Sequence, residues 1–153
     1  MNELTHRKLR LSDAAFAAET TPKAIRNWLQ RDLVRLAPSS SEGWREFSLM
    51  DVAALALVRR FVDFGLPVEK ANEFAHEILD EKADTLLRFK NTPGKALAAS
   101  FAGLSAIIWR KDGWEMRLVY IATPLPPPSD SFLVVDIGAS LRRATERALT
   151  GKS

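Results

Sequence analysis

The segment "TTP" at residues 20–22 is the feature that most limits how this chain can fold. It separates two short stretches with helical patterning, "AAFAAE" and "KAIRNWLQ". The threonines can cap a helix, and proline suits a first helical turn because its missing N–H would have no partner there. The segment therefore predicts the end of one helix, at about residues 13–19, and the start of another, at about 22–31. Two such helices joined by a short turn form a helix-turn-helix.

The second helix of this pair is predicted to have one apolar face and one face rich in hydrogen-bond donors. Its apolar residues recur at helical spacing, which predicts contact with a core: Ile25, Trp28 and Leu29. The donors Lys23, Arg26 and Asn27 point elsewhere and lie in the first turns. In a DNA-binding helix-turn-helix, those turns enter the major groove.

Cap signals define the other helices of the N-terminal half. Ser12 and Asp13 are predicted to cap the first helix. Ser48 with Asp51 three residues later forms a capping box before the apolar helix "VAALALVRRFVDFG", which ends at a glycine. A further long helix is predicted over residues 66–89.

The serine-rich loop "SSSEGWREFS", at residues 39–48, is predicted to form a small hairpin or wing. Leu36 and Phe47 would pair at its base, and Gly43 permits the turn. Trp44 and Arg45 would then be displayed on the wing.

The pattern changes after "NTPGK" at residues 91–95, which we take as the boundary between domains at 1–90 and 91–153. Asp112-Gly113 is a two-residue hairpin signal, and it predicts cross-strand pairs of Trp109 with Met116, Ile107 with Leu118 and Arg110 with Glu115. "SFLVVDI" reads as a third strand and "ASLRRATERAL" as a closing helix. The predicted class is therefore α+β, with a helical N-terminal half followed by a small α/β unit containing a three-stranded sheet.

Three motifs in the first half occur in a familiar order: "TPKAIRNWLQRDLV", "EGWREFSLMDVAAL" and "LVRRFVDFGLPVEKANEFAHEIL". Over about residues 9–80 the chain resembles the winged helix-turn-helix DNA-binding domain of the MerR family of bacterial regulators. The C-terminal half carries no resemblance that we recognise.

The resemblance, the donor-rich face of the second helix and the predicted wing together give the expected DNA-contacting residues: Lys23, Arg26, Asn27, Trp28, Trp44 and Arg45. Arg26 would approach base edges or phosphate, Trp28 the DNA backbone, and Arg45 a phosphate from the wing. Guanidinium groups suit both phosphate and guanine edges. Asn27 stands where the family usually has an aromatic residue, so the resemblance does not imply which DNA sequence is bound.

Simpler interpretations of several of these residues stay open. Trp28 and Trp44 can instead belong to the core. Arg10, with the basic residues before it, can form an arm over DNA, but an untethered basic tail is the more frequent case.

Composition excludes several kinds of chemistry. The chain has no cysteine and only two histidines, so we expect no disulfide, no metal and no cofactor. We also find no arrangement typical of catalysis, and we expect the protein not to be an enzyme. No apolar run approaches the roughly 20 residues of a membrane span, so we expect a cytoplasmic, nucleoid-associated protein that does not contact membranes.

The predicted function is that of a bacterial or phage regulator of transcription that binds specific double-stranded DNA sequences. The C-terminal part would form a homodimer or bind a partner, such as RNA polymerase or a recombination or packaging protein. Its aromatic residues fit a sheet core better than a ligand pocket. Two alternatives are an architectural DNA-binding protein, excisionase-like or recognising packaging sites, and a protein-docking adaptor that has lost DNA binding.

Overall fold

A computed structural model describes residues 9–36, 45–81, 99–120 and 131–150. The helices are α1 (Leu11–Ala17), α2 (Pro22–Gln30), α3 (Leu49–Asp63), α4 (Val68–Glu81) and α5 (Ile137–Thr150). The strands are β1 (Leu104–Arg110), β2 (Trp114–Tyr120) and β3 (Phe132–Asp136). Helices come first, and a three-stranded sheet and a closing helix follow, so the predicted α+β class is confirmed.

The turn between α1 and α2 forms as its sequence predicts. The Thr21 hydroxyl accepts a hydrogen bond of 3.1 Å from the backbone N–H of Ala24, and Pro22 is the first residue of α2. This bond satisfies one of the N–H groups that a helix leaves open at its start. Residues of the turn itself therefore fix where α2 begins.

The start of α1 differs from its prediction. The helix begins at Leu11 with Arg10 at the cap position, and no side chain caps it, so the assignment of Ser12 and Asp13 as caps was wrong. The reason lies just upstream, where Leu9 forms an antiparallel bridge with Phe47. That bridge fixes where the extended chain ends, and the helix starts immediately after it.

The same bridge corrects the predicted base of the wing. The N–H of Leu9 donates to the Phe47 carbonyl at 3.0 Å, and the N–H of Phe47 donates to the Leu9 carbonyl at 2.8 Å. Phe47 therefore pairs with Leu9 rather than with Leu36, which lies outside any strand. Residues 37–44, which hold Gly43 and Trp44, lie outside the described part of the chain, so the wing itself stays a prediction.

Helices α3 and α4 form an apolar pair. Ser48 and Asp51 make both bonds of the predicted capping box, at 3.0 and 3.1 Å, and Gly65 follows α3 with a φ of 101° that favours glycine. The rings of Phe61 and Phe74 meet edge to face, with their centroids 6.2 Å apart.

No helix among the described residues is both long enough and apolar enough to span a bilayer. Residues 82–89 of the predicted long helix lie outside the described ranges.

The sheet is antiparallel with the order β2-β1-β3, but its hairpin register differs from the prediction by one residue. Trp109 lies opposite Glu115 rather than Met116, and Arg110 lies opposite Trp114 rather than Glu115. Ile107 likewise pairs with Arg117 rather than with Leu118. The loop has three residues, 111–113, instead of the two that we expected, and the indole N–H of Trp109 donates to the Glu115 carboxylate at 2.7 Å in the observed register.

The closing helix α5 packs against α1 and α3, so the first and last helices share one hydrophobic core. Arg147 donates to the Phe16 carbonyl oxygen at 2.8 Å, and its guanidinium carbon lies 3.9 Å from the centre of the Phe16 ring. Glu19, in the turn after α1, pairs with Arg60 of α3 at 3.5 Å and with Arg143 of α5 at 2.6 Å. The division at residue 90 lies outside the described ranges and stays a prediction, although the two parts share buried side chains.

Gly138 lies where α5 closely approaches the chain before β1. A methyl group added at this buried glycine would overlap the carbonyl oxygen of Phe101 and would lie 3.2 Å from the Cα of Ala102. We expect Gly138→Ala to lower the free energy of unfolding by about 1–3 kcal/mol, because backbone atoms must move to admit the methyl group. Urea denaturation followed by circular dichroism measures the change.

Gly113→Ala is the matched control, since no atom lies within 4 Å of the methyl group that it would add. Equal stability of the two variants would contradict close packing of α5 at Gly138.

Candidate nucleic-acid interface

The outer face of α2 presents four long polar side chains to solvent. Lys23, Arg26, Asn27 and Gln30 are all exposed, and their spacing of three and four residues puts them on one side of the helix. They surround a shallow groove whose floor includes Ala24. Ammonium, guanidinium and amide groups are the donors that read base edges and phosphates, so the face has the chemistry of a recognition surface.

A wider cleft of about 800 Å³ opens beside this face, between α2, the start of α1 and residues 45–47. Three arginines from these separate elements line it: Arg10, Arg26 and Arg45. Glu46 contributes a carboxylate to the same cleft, so cationic groups outnumber anionic ones among its lining residues. A concave surface with this balance attracts polyanions. We call it the arginine cleft.

Arg26 belongs to both surfaces, since it lines the arginine cleft and also the groove on the outer face of α2. The structure thus brings together two of the residues that the sequence singled out, Arg26 and Arg45, at one cleft. Lys23 and Asn27 lie on the adjoining outer face. The two surfaces therefore form a continuous strip along α2.

Arg45 is held by the start of α3. Its Nη2 atom lies 3.8 Å from the Asp51 carboxylate, and its guanidinium carbon lies 5.4 Å from the centre of the Phe47 ring. Asp51 is itself fixed, because it completes the capping box with Ser48. The side chain of Arg45 is 23% exposed, so it is anchored within the protein and still reaches the cleft surface. An anchored guanidinium loses less rotamer entropy when it binds a ligand.

Arg10 is the cleft residue that the sequence analysis did not select. The sequence leaves open whether Arg10 belongs to an arm over DNA or to an untethered tail, and the bridge between Leu9 and Phe47 ties the adjacent backbone to the protein. Arg10 is exposed and lines the cleft opposite α2. Leu9 could have indicated this position, because a loose basic tail does not require an apolar residue among its charges.

One predicted contact residue, Trp28, is not brought to this strip. Trp28 lies on the inner side of α2, is only 6% exposed and packs in the core with Ile25. Its predicted contact with DNA stays a prediction. Trp44 lies outside the described residues.

Comparison with known families supports this interpretation of the strip. The sequence model of the family described as "MerR HTH family regulatory protein" matches residues 9–78. The matched region includes α1, α2, α3 and every residue that lines the arginine cleft. The match confirms the MerR-like DNA-binding domain and supports a DNA-binding transcription regulator in general. No curated protein matches the chain.

The burial of Trp28 generates a prediction about stability. We expect Trp28→Ala to lower the free energy of unfolding by about 3–5 kcal/mol, because a large buried side chain leaves a cavity. Asn27→Ala, at the neighbouring exposed position, should change it by no more than about 0.5 kcal/mol. Urea denaturation of both variants measures these effects.

Trp28→Phe keeps most of the buried volume and separates the two interpretations of this residue. If Trp28 supports α2 from inside the core, the phenylalanine variant keeps both its fold and its affinity for DNA. A variant that stays fully stable but loses DNA binding would instead assign the indole to the DNA surface.

Proposed function

We propose that this protein is a bacterial or phage regulator of transcription that recognises specific sequences in double-stranded DNA. One observation carries the proposal. Arginines from three separate elements, Arg10, Arg26 and Arg45, line one cleft beside the polar face of α2. This arrangement lies wholly within the region that matches a family of DNA-binding regulators.

Recognition would begin with α2 in the major groove. Its first turns carry Lys23, Arg26 and Asn27, and all three side chains are exposed. Asparagine can make two hydrogen bonds with adenine, and arginine or lysine can do so with guanine. We therefore assign sequence preference to this face of α2.

Affinity would come mainly from phosphate contacts beside the groove. Arg45 and Arg10 lie across the arginine cleft from α2, a suitable position for the sugar-phosphate chain that borders the groove. Arg45 is already oriented by Asp51 and Phe47, so less side-chain freedom is lost on binding. Trp44, next to Arg45 on the predicted wing, would pack along the same backbone.

The remaining parts of the proposal concern partners and location. A homodimer would present two copies of α2 to two half-sites, as helix-turn-helix regulators of DNA do. We assign dimerisation or partner binding to residues 91–153, with RNA polymerase or a recombination or packaging protein as a further partner. The protein would act in the cytoplasm, at the nucleoid, and catalyse no reaction.

A single experiment tests the proposal against its alternatives. The purified protein is incubated with fragmented genomic duplex DNA across a salt series, and the retained fragments are sequenced. A retained site that is roughly palindromic and lies upstream of genes supports a regulator of transcription. Retention of one attachment or packaging locus instead indicates an architectural protein, and no retention even at low salt indicates a docking adaptor.

The position of Arg45 predicts an effect that does not depend on DNA sequence. Arg45→Ala should weaken binding to all duplexes and reduce the slope of log K against log salt by about 1, since one phosphate contact is lost. Fluorescence anisotropy across a salt series measures the slope. Arg142→Ala, at an exposed position on α5 outside the cleft, is the control and should leave the slope unchanged.

Because Arg45 also pairs with Asp51, the free energy of unfolding of the Arg45→Ala variant must be measured in parallel. An unchanged salt slope in a folded Arg45→Ala variant would remove this residue from the DNA surface.

The position of Asn27 predicts the opposite pattern. Asn27→Ala should lose about 1–3 kcal/mol at one base pair of the preferred site, because a pair of hydrogen bonds to that base is lost, and should bind other sequences almost normally. Gln30→Ala, on the same face but at the end of α2, should have a smaller effect, because recognition helices contact bases through their first turns. Competition binding against duplexes with single base changes measures both. Equal losses on every duplex would contradict a role in sequence preference.

A further inference from the structure

Strand β3 carries an exposed apolar surface that the proposed contacts with DNA do not use. Phe132 is 48% exposed and Val134 is 57% exposed, and both lie on the same face of this edge strand. Their neighbours on β1 are Trp109 and Ile107, which are buried but do not join the main hydrophobic core. The exposed apolar surface thus consists of Phe132 and Val134, and among the described residues no strand pairs with β3 on the side away from β1.

The two edges of the sheet differ in charge. The edge strand β2 has Glu115 and Arg117 among its residues, and Arg117 is its central residue. Charged side chains on an edge strand hinder pairing with another strand. Strand β3 has no charged residue before Asp136 at its end. Among the described strands, β3 is therefore the edge without that protection.

Pairing with a second copy of the same strand has opposite consequences at the two edges. If β2 paired with its own copy about its centre, Arg117 would face Arg117 of the second copy, and like charges directly opposite each other are destabilising. If β3 paired with its own copy about its centre, Val134 would face Val134 of the second copy. Asp136 would then face Phe132, and the two carboxylates would lie at opposite ends of the paired strands. The charge pattern thus permits self-pairing of β3 and opposes it for β2.

We propose that β3 pairs antiparallel with β3 of a second copy about a two-fold axis at Val134, which joins the two sheets into one of six strands. The contact deepens the proposed function and rests on it, since a palindromic site requires two copies of α2. At the join, the exposed Val134 and Phe132 side chains of the two copies would lie side by side on one face of the sheet. Such a contact is isologous, so it closes at two copies and does not continue into a fibre.

The absence of cysteine from this chain allows a direct test. Directly opposite residues of antiparallel strands have Cα atoms about 4.5–5.5 Å apart, which lies within the range that a disulfide can bridge. Val134→Cys should therefore form a covalent dimer under mild oxidation at low micromolar concentration. Non-reducing electrophoresis and mass spectrometry of the linked peptide measure its yield.

Leu149→Cys is the matched control, because Leu149 on α5 is 59% exposed, close to the exposure of Val134, and lies outside the sheet. The control should form little covalent dimer under the same conditions, because its cysteines would not face each other at the β3 contact. Equal crosslinking of the two variants, or crosslinking of Leu149→Cys alone, would overturn the proposal.

A second variant tests the contact without any crosslink. Val134→Lys places like charges opposite each other at the two-fold axis, so it should raise the dimer dissociation constant about tenfold or more. Sedimentation of the unmodified protein and of this variant measures the constant, and circular dichroism checks that the variant is folded. A dimer that Val134→Lys leaves intact would overturn the proposed surface.

The same measurements separate this inference from the proposed function. A protein that is monomeric at the concentrations where it binds specific DNA would overturn the β3 contact and leave DNA recognition standing. A β3-linked dimer that binds no duplex even at low salt would overturn DNA recognition and leave the β3 contact standing.

Discussion

The contact of α5 with α1 and α3 is the interaction on which the rest of the structure depends. Helix α1 has only seven residues, too few to be stable without tertiary packing. Its inner alanines are covered in the shared core, and Arg147 binds both the ring and the carbonyl oxygen of Phe16. Glu19 has a left-handed backbone with a φ of 57°, a conformation that residues other than glycine rarely adopt. Its ion pairs with Arg60 and Arg143 stabilise this turn. The angle between α1 and α2 is thus supported from the far end of the sequence.

A second set of contacts connects the helical core to the candidate DNA surface. The backbone bridge between Leu9 and Phe47 brings the start of α1 beside the start of α3. The capping box then fixes Asp51, and Asp51 in turn fixes Arg45. Each of these contacts is made by a single pair of residues. The arginine cleft is therefore built from elements that the backbone bridge and the capping box bring together.

Local cap signals succeeded at α2 and α3 and failed at α1, where a distant backbone pair sets the start of the helix. The cap at Thr21 and the capping box at Ser48 could be predicted because each needs only neighbours three residues away. Arg10 could not be placed in the cleft, because its position depends on a backbone pair between residues 38 positions apart. The hairpin register was wrong for a similar reason: Asp112-Gly113 marks a turn, but the partner of Trp109 is set by its bond to Glu115 and by a longer loop. Of the predicted contact residues, Arg26 and Arg45 were placed together by the fold, which the sequence motifs alone do not specify.

The packing of α5 also affects how the protein is made. During synthesis the helices of the DNA-binding region leave the ribosome well before residues 137–150, which complete the core around α1 and α3. At about 5–20 residues per second, the delay between the end of α4 and the end of α5 is several seconds. Throughout that time α1 lacks the part of its cover that α5 provides, so the nascent chain exposes apolar surface that chaperones can bind. A message that slows translation after α4 would lengthen this exposed stage without any change in the finished protein.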